Sequence, residues 1–192
     1  MSEFWLYFKL GLEHVLDWQA YDHILFLIVL CAAYSFSSWK RLLLLVTLFT
    51  LGHTISLLLA NYNVVSVSTK WIEFLIPITI LLAAIFNLFT AGKEKKLEKL
   101  GLFYIVTVFF GLIHGFGFAS YYKMINDNND MLPLLEFALG VEVAQIIVVL
   151  LVLIFAFIAQ MIFRFNKRDW VLVVSSVVIG MVIPMLIDNW MF

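Results

Sequence analysis

The sequence predicts an all-α integral membrane protein, a bundle of about six transmembrane helices with a short N-terminal interfacial helix. Two observations carry that prediction. Of 192 residues, 64% are hydrophobic and only 13% are charged, and the mean hydropathy is +1.04; a soluble domain of this length carries about twice that share of charge. The apolar residues also gather into runs of roughly 20, the number a helix needs to cross the hydrocarbon, so that six spans consume about 120 residues. The composition excludes a water-soluble enzyme and a disordered tail. A formal net charge of −1 removes the electrostatic reason to expect nucleic acid as a partner.

In chain order, residues 3–16 mix aromatic and polar side chains and read as the interfacial helix. Asp17 is placed as N-cap of the first span, 19–38. Further spans follow at 41–60, 71–90, 100–122, 132–163 and 170–190. The fifth would be about 48 Å long at 1.5 Å per residue, too long for one upright crossing. Its first turns are expected to project beyond the bilayer or lie among the headgroups, with Pro133 at the helix start. With no internal repeat, residues 1–192 read as one transmembrane domain. The N-terminus has no basic stretch leading to a small-residue cleavage site, so the first hydrophobic helix is expected to direct insertion. The single cysteine, Cys31, lies in an apolar run and excludes an internal disulfide.

Orientation follows from lysine and arginine. Lys40, Arg41, Lys93, Lys95, Lys96, Lys99, Arg164, Lys167 and Arg168 follow the odd-numbered spans, against Lys9, Lys70 and Lys123 on the other side. The expectation is a multi-pass protein of the inner (plasma) membrane with both termini on the periplasmic or extracellular side.

A charged side chain at the centre of a membrane costs roughly 2.5–3.5 kcal/mol even on mild scales. The spans nonetheless carry His23, His53, Glu73, His114, Glu142 and Asp188 within them or at their ends. Counted from the cytoplasmic helix ends at 1.5 Å per residue, His53 and His114 stand at about 17 and 18 Å, His23 and Glu73 at about 24 Å, Asp188 at about 27 Å and Glu142 at about 31 Å. All fall in the outer half, above an apolar inner half. That asymmetry predicts a polar cavity open to the outside and closed below by an apolar plug.

The chemistry available there is imidazole with carboxylate, and His14 lies beside the same layer. Nitrogen with oxygen donors suits first-row divalent ions, and zinc, nickel, cobalt, iron(II) and manganese all stay open. His14 and His23 are nine residues apart, on opposite faces of one straight helix, and converge only if the chain turns near residues 17–20. Glu142 and Gln145 share a helix face. Gly111, Gly115 and Gly117 surround His114, and the spacing of the first two lets another helix approach closely. Each element has a plainer reading. A lone membrane histidine is often a hydrogen-bonded packing residue, Glu73 and Asp188 suit interfacial solvation, and the glycine spacing is more often packing than chemistry.

The motifs carry a resemblance. Gly11-Leu-Glu-His14-Val-Leu-Asp17 followed by Ala20-Tyr-Asp22-His23-Ile-Leu-Phe26 resembles the opening signature of the HupE/UreJ family of membrane proteins, with Ala20 where a glycine is expected. The agreement continues through Phe49-Thr-Leu-Gly-His53-Thr, Trp71-Ile-Glu73-Phe, Phe110-Gly-Leu-Ile-His114-Gly-Phe-Gly-Phe118 and Phe137-Ala-Leu-Gly-Val-Glu142-Val-Ala-Gln145. It is closer to the broader branch than to the hydrogenase-linked one. The resemblance implies a small helical membrane protein of a group associated with hydrogenase and urease operons and regarded as nickel or cobalt permeases.

Three functions follow. The first is a nickel- or cobalt-type permease or accessory protein. Its metal ligands would come from His14, Asp22, His23, His53, His114 and Glu142, with Glu73, Gln145 and Asp188 in support. Its partners would be the lipid bilayer and the metal ion. The second is a membrane-embedded, metal-dependent hydrolase facing the periplasm, with zinc as a candidate and Glu142 or Glu73 as base. The third is an assembly subunit whose polar layer only locks helices together.

Overall fold

The computed structural model describes residues 2–93, 100–126 and 130–190. Of the basic residues used for orientation, Lys95, Lys96 and Lys99 lie outside the described residues. Among the described residues there are seven α-helices, one 3-10 turn and no strand. The helices are α1 (Glu3–Leu16), α2 (Asp22–Ala32), α3 (Trp39–Asn61), α4 (Thr69–Thr90), α5 (Leu100–Ile125), α6 (Met131–Met161) and α7 (Lys167–Asp188). The 3-10 turn Phe36–Ser38 leads into α3.

Five helices are long and apolar enough to cross a membrane: α3 with its leading turn, α4, α5, α6 and α7. Their outward faces carry Leu44, Leu51, Phe109, Leu150 and Phe155, all exposed. In water such a surface would be a large apolar patch, whereas a bilayer would cover it. These features suggest a multi-pass membrane protein. Helix ends follow local rules. α3 ends at Asn61, and the chain leaves it through Asn63 in the left-handed region (φ 55°), with the Val64 N–H donating to Leu59 O at 2.9 Å, a glycine-like C-terminal turn. Ser68, Asp130 and Asn166 precede α4, α6 and α7 in extended conformation.

The expected first span is not one helix. α2 has 11 residues, about 16 Å at 1.5 Å per residue, and falls short of a crossing. The two N-terminal helices instead follow each other along α5 in one direction. Tyr7 Oη donates to Ile125 O at 3.4 Å, and the His14 ring lies 3.9 Å from that of Phe118. Next, His23 faces His114 at 5.3 Å and Phe26 faces Phe110 at 5.8 Å. Farther on, Asn87 Nδ2 donates to Val29 O at 2.7 Å. α1 and α2 are thus two pieces of one path beside α5, broken at residues 17–21. Asp17 ends α1 rather than capping the next helix, and its Oδ1 accepts the Gln19 N–H at 2.8 Å across the break. The irregular backbone of this break lines a cavity.

The helix anticipated over 3–16 is present, but it packs lengthwise on α6. A Cβ on Gly11 would strike Phe137 O, and one on Gly140 would strike Phe8 O. The backbones of α1 and α6 therefore touch through two reciprocal glycines. The same device joins α3 to α5: a Cβ on Gly52 would meet Val108 O, and one on Gly111 would meet Phe49 O. One hydrophobic core draws on all seven helices, from Tyr7 to Val182.

Candidate metal centre

Each of the four histidines comes from a different helix. His14 is in the last turn of α1, His23 is the second residue of α2, His53 lies in α3 and His114 in α5. Ring centroids are 4.6 Å apart for His14 and His23, 5.5 Å for His14 and His53, and 5.8 Å for His23 and His53. Ligand nitrogens of His14, His23 and His53 all lie within 4.8 Å of one another. His114 joins through His23. His23, His53 and His114 are buried, and His14 is half-buried.

The nitrogens are sorted by role. His23 Nδ1 donates to Asp22 Oδ1 at 3.0 Å, and His114 Nδ1 donates to Phe110 O at 2.8 Å. A carboxylate and a carbonyl only accept, so these bonds put the proton on Nδ1 and leave a lone pair on Nε2. In all four histidines Nε2 is buried and has no hydrogen-bond partner among the described residues. A buried polar atom left unpaired costs about 1–3 kcal/mol, and here four of one kind are gathered in a single place. A divalent ion of the nickel, cobalt or zinc class would take up those lone pairs, and the donor set fits it.

Backbone packing creates this convergence. A Cβ on Gly115 would strike Ser56 Oγ and the backbone of His53, so glycine beside His114 sets how closely α5 approaches His53. Gly11 seats α1 on α6 one turn before His14, and the Phe137 ring then lies 5.7 Å from His14 and 6.2 Å from His53. The break at 17–21 lets the chain bring His23 back against His14. The turn the sequence requires near residues 17–20 is where the structure has it.

A cavity of about 1010 Å³ reaches the centre, bordered by the 17–20 break and by His14, Asp22, His23, Glu73, His114 and Tyr121. Pro77, inside α4, has no N–H to offer the Glu73 carbonyl, which lies at the rim of this cavity. The far side of the centre is aromatic. Phe26 and Phe49 stack at 4.7 Å, and Phe49 faces His114 at 5.1 Å.

Glu142 is placed elsewhere. Its Oε1 accepts from Thr47 Oγ1 at 2.6 Å, and Gln145 Oε1 accepts from Thr50 Oγ1 at 2.8 Å. Both threonines precede His53 on α3, so these pairs lie beyond the histidines toward the Trp39 end of that helix. Glu142 is therefore not the outermost group. Counting along α6 assumed that its far end sits level with the others, and the contacts with α3 show a different axial offset. Glu142 Oε2 and Gln145 Nε2 are buried without a partner among the described residues. Asp188 is exposed and borders a separate cavity of about 480 Å³ with Lys70, Trp71 and Glu73. Gly117 packs toward Ile76 and Ile72 of α4.

Thr47, Thr50 and Glu136 stand outside the set expected from the sequence. The threonines repeat the three-residue spacing of Glu142 and Gln145, a signal that was available. Glu136 is buried on α6, with Oε2 unpartnered among the described residues. It falls in the stretch expected to project from the bilayer.

Residues 1–190 match the family model described as HupE / UreJ protein. The chain belongs to the HupE/UreJ family. Both pieces of the broken N-terminal path and all four histidines of this HupE/UreJ protein fall inside the match. No curated protein and no solved structure matches the chain.

Proposed function

We propose that this HupE/UreJ protein is a permease for a divalent transition metal of the nickel or cobalt class, entering from the cavity beside residues 17–20. The observation that carries this reading is the set of four buried, unpartnered Nε2 atoms, three of them on histidines that border that cavity and the fourth on His53, clustered with His14 and His23. The nine-to-three distribution of basic residues supports a cavity facing the periplasm or cell exterior. His14, His23, His53 and His114 take the ion as it sheds water, and Asp22 holds the His23 ring in place.

A permease must also release its ion. The Thr50–Gln145 and Thr47–Glu142 pairs supply the next oxygen donors, with Thr47 about 9 Å along α3 from His53 at 1.5 Å per residue. Passage requires the aromatic packing of Phe26 and Phe49 to move, and α2, as a short separate helix, is the piece able to do so.

Metal uptake by cells with and without the protein tests the proposal, together with the metal content of the purified chain. Expression should raise nickel or cobalt accumulation, and the purified protein should carry exchangeable metal. Equal accumulation of nickel, cobalt and zinc in both strains would sink it. Glu142→Gln should cut uptake at least about tenfold, the order of effect a ligand-shell change has, while metal bound to the purified protein stays within about twofold. Asp22→Asn removes the charge behind His23 and is expected to weaken metal affinity by about 10–100-fold without unfolding the chain. Isothermal titration with nickel would show it; unchanged affinity would assign Asp22 to the fold alone.

One observation favours a second reading. Glu73 borders the same cavity as three of the histidines, as a general base would in a metal-dependent hydrolase. A metal held there would supply an activated water. About one non-exchangeable zinc per chain, with no effect on uptake, would select this reading.

A further inference from the structure

At the end of the bundle opposite the histidine cavity, four cationic side chains face one concavity. Arg41 comes from the first turn of α3, Lys93 from the turn after α4, and Lys167 and Arg168 from the start of α7. They border a cavity of about 370 Å³ together with Tyr34. Among the described residues none of the four forms a salt bridge, and no aspartate or glutamate lines the cavity. Loop topology explains why basic residues lie at this end. It does not explain why residues from three separate stretches converge on one hollow, where their mutual repulsion is strongest.

The two arginines also pack against neighbours. Arg41 is half-buried beside the buried Tyr34. Gly92, in the left-handed region at φ 79°, brings the turn against the stem of Arg168, whose Cδ would lie 3.0 Å from a Cβ there. α7 begins at Lys167, so the positive end of its dipole adds to the same field.

We propose that this cavity binds a phosphate group, that of an anionic phospholipid headgroup or of a soluble phosphate. Arginine forks grip phosphate oxygens in pairs and lysines add point charge. The volume lies in the range of small-ligand sites. Bound there, a phosphate ties together the ends of α3, α4 and α7 and relieves the repulsion among the four cations.

Native mass spectrometry of the full-length protein in detergent tests this, with dioleoyl-phosphatidylglycerol, dioleoyl-phosphatidylcholine and inorganic phosphate as probes. A lipid source predicts at least tenfold preference for phosphatidylglycerol over phosphatidylcholine. That preference should be lost in Arg41→Gln/Arg168→Gln and in the milder, exposed pair Lys93→Gln/Lys167→Gln, and kept in Lys9→Gln at the other end. A soluble source predicts no lipid preference, with phosphate adducts on the wild type that both double variants lose. Neither preference nor adducts, or binding that survives in the double variants, overturns the proposal.

Discussion

His53→Ala is expected to leave the purified protein folded and without bound metal. Removing one of four ligands forfeits about a quarter of a binding energy that is roughly 10–16 kcal/mol for four-ligand zinc sites, so affinity should fall about 100-fold or more. His53 is the sharpest choice among the four. It is 1% exposed, and its Nε2 has no hydrogen-bond partner among the described residues that its loss would leave orphaned. Circular dichroism and monodispersity should therefore match the wild type while nickel titration loses its binding step. His14→Ala and His23→Ala should behave likewise, since their ligand nitrogens share the same 4.8 Å cluster. Full metal content in all three variants would leave the histidines as packing residues and return the assembly reading to the front.

Gly115→Leu should damage the protein more broadly. Its Cβ would strike the His53 carbonyl and Ser56 Oγ, and backbone cannot swing aside as a flexible side-chain end can. Overpacking costs about 1–3 kcal/mol where neighbours relax, and a clash with backbone belongs at or above the top of that range. At about 2–4 °C per kcal/mol for a chain of this size, Tm should drop by about 6–12 °C or the protein should fail to accumulate. The α3–α5 separation fixes where His53 and His114 stand, so any surviving Gly115→Leu protein should also bind metal poorly. Gly180→Ala is the control, because nothing lies within 4 Å of its Cβ; it should leave metal titration unchanged and Tm equal or slightly raised, alanine being the better helix former. Equal Tm values for the two variants would show that the glycine seam does not set the helix spacing.

Much of this was written in the local pattern. The long apolar runs placed α3 to α7 within a few residues of their ends, including the 31-residue α6 with Pro133 in its first turn. The nine-residue gap between His14 and His23 required a turn, since a straight helix would aim them apart. The glycines around His114 announced a close helix contact, though not that its partner would be the stretch carrying His53.

What the pattern could not carry was the position of one helix along another. Hydrophobic periodicity says which residues face inward and how long an element is, and it is the same wherever that element slides along its neighbour. So the run over 19–38 looked like one span, whereas its first residues belong to the break that lines the cavity and only Asp22–Ala32 forms α2. In the same way Glu142 looked outermost when counted along its own helix, yet its bond to Thr47 puts it beyond the histidines. The sequence by itself determined an all-helical apolar chain with four histidines and a few carboxylates where such groups are costly. The tertiary structure decided which of them meet, because axial offset is set by non-local contacts: Gly11 on Phe137, Gly140 on Phe8, and Gly115 on His53.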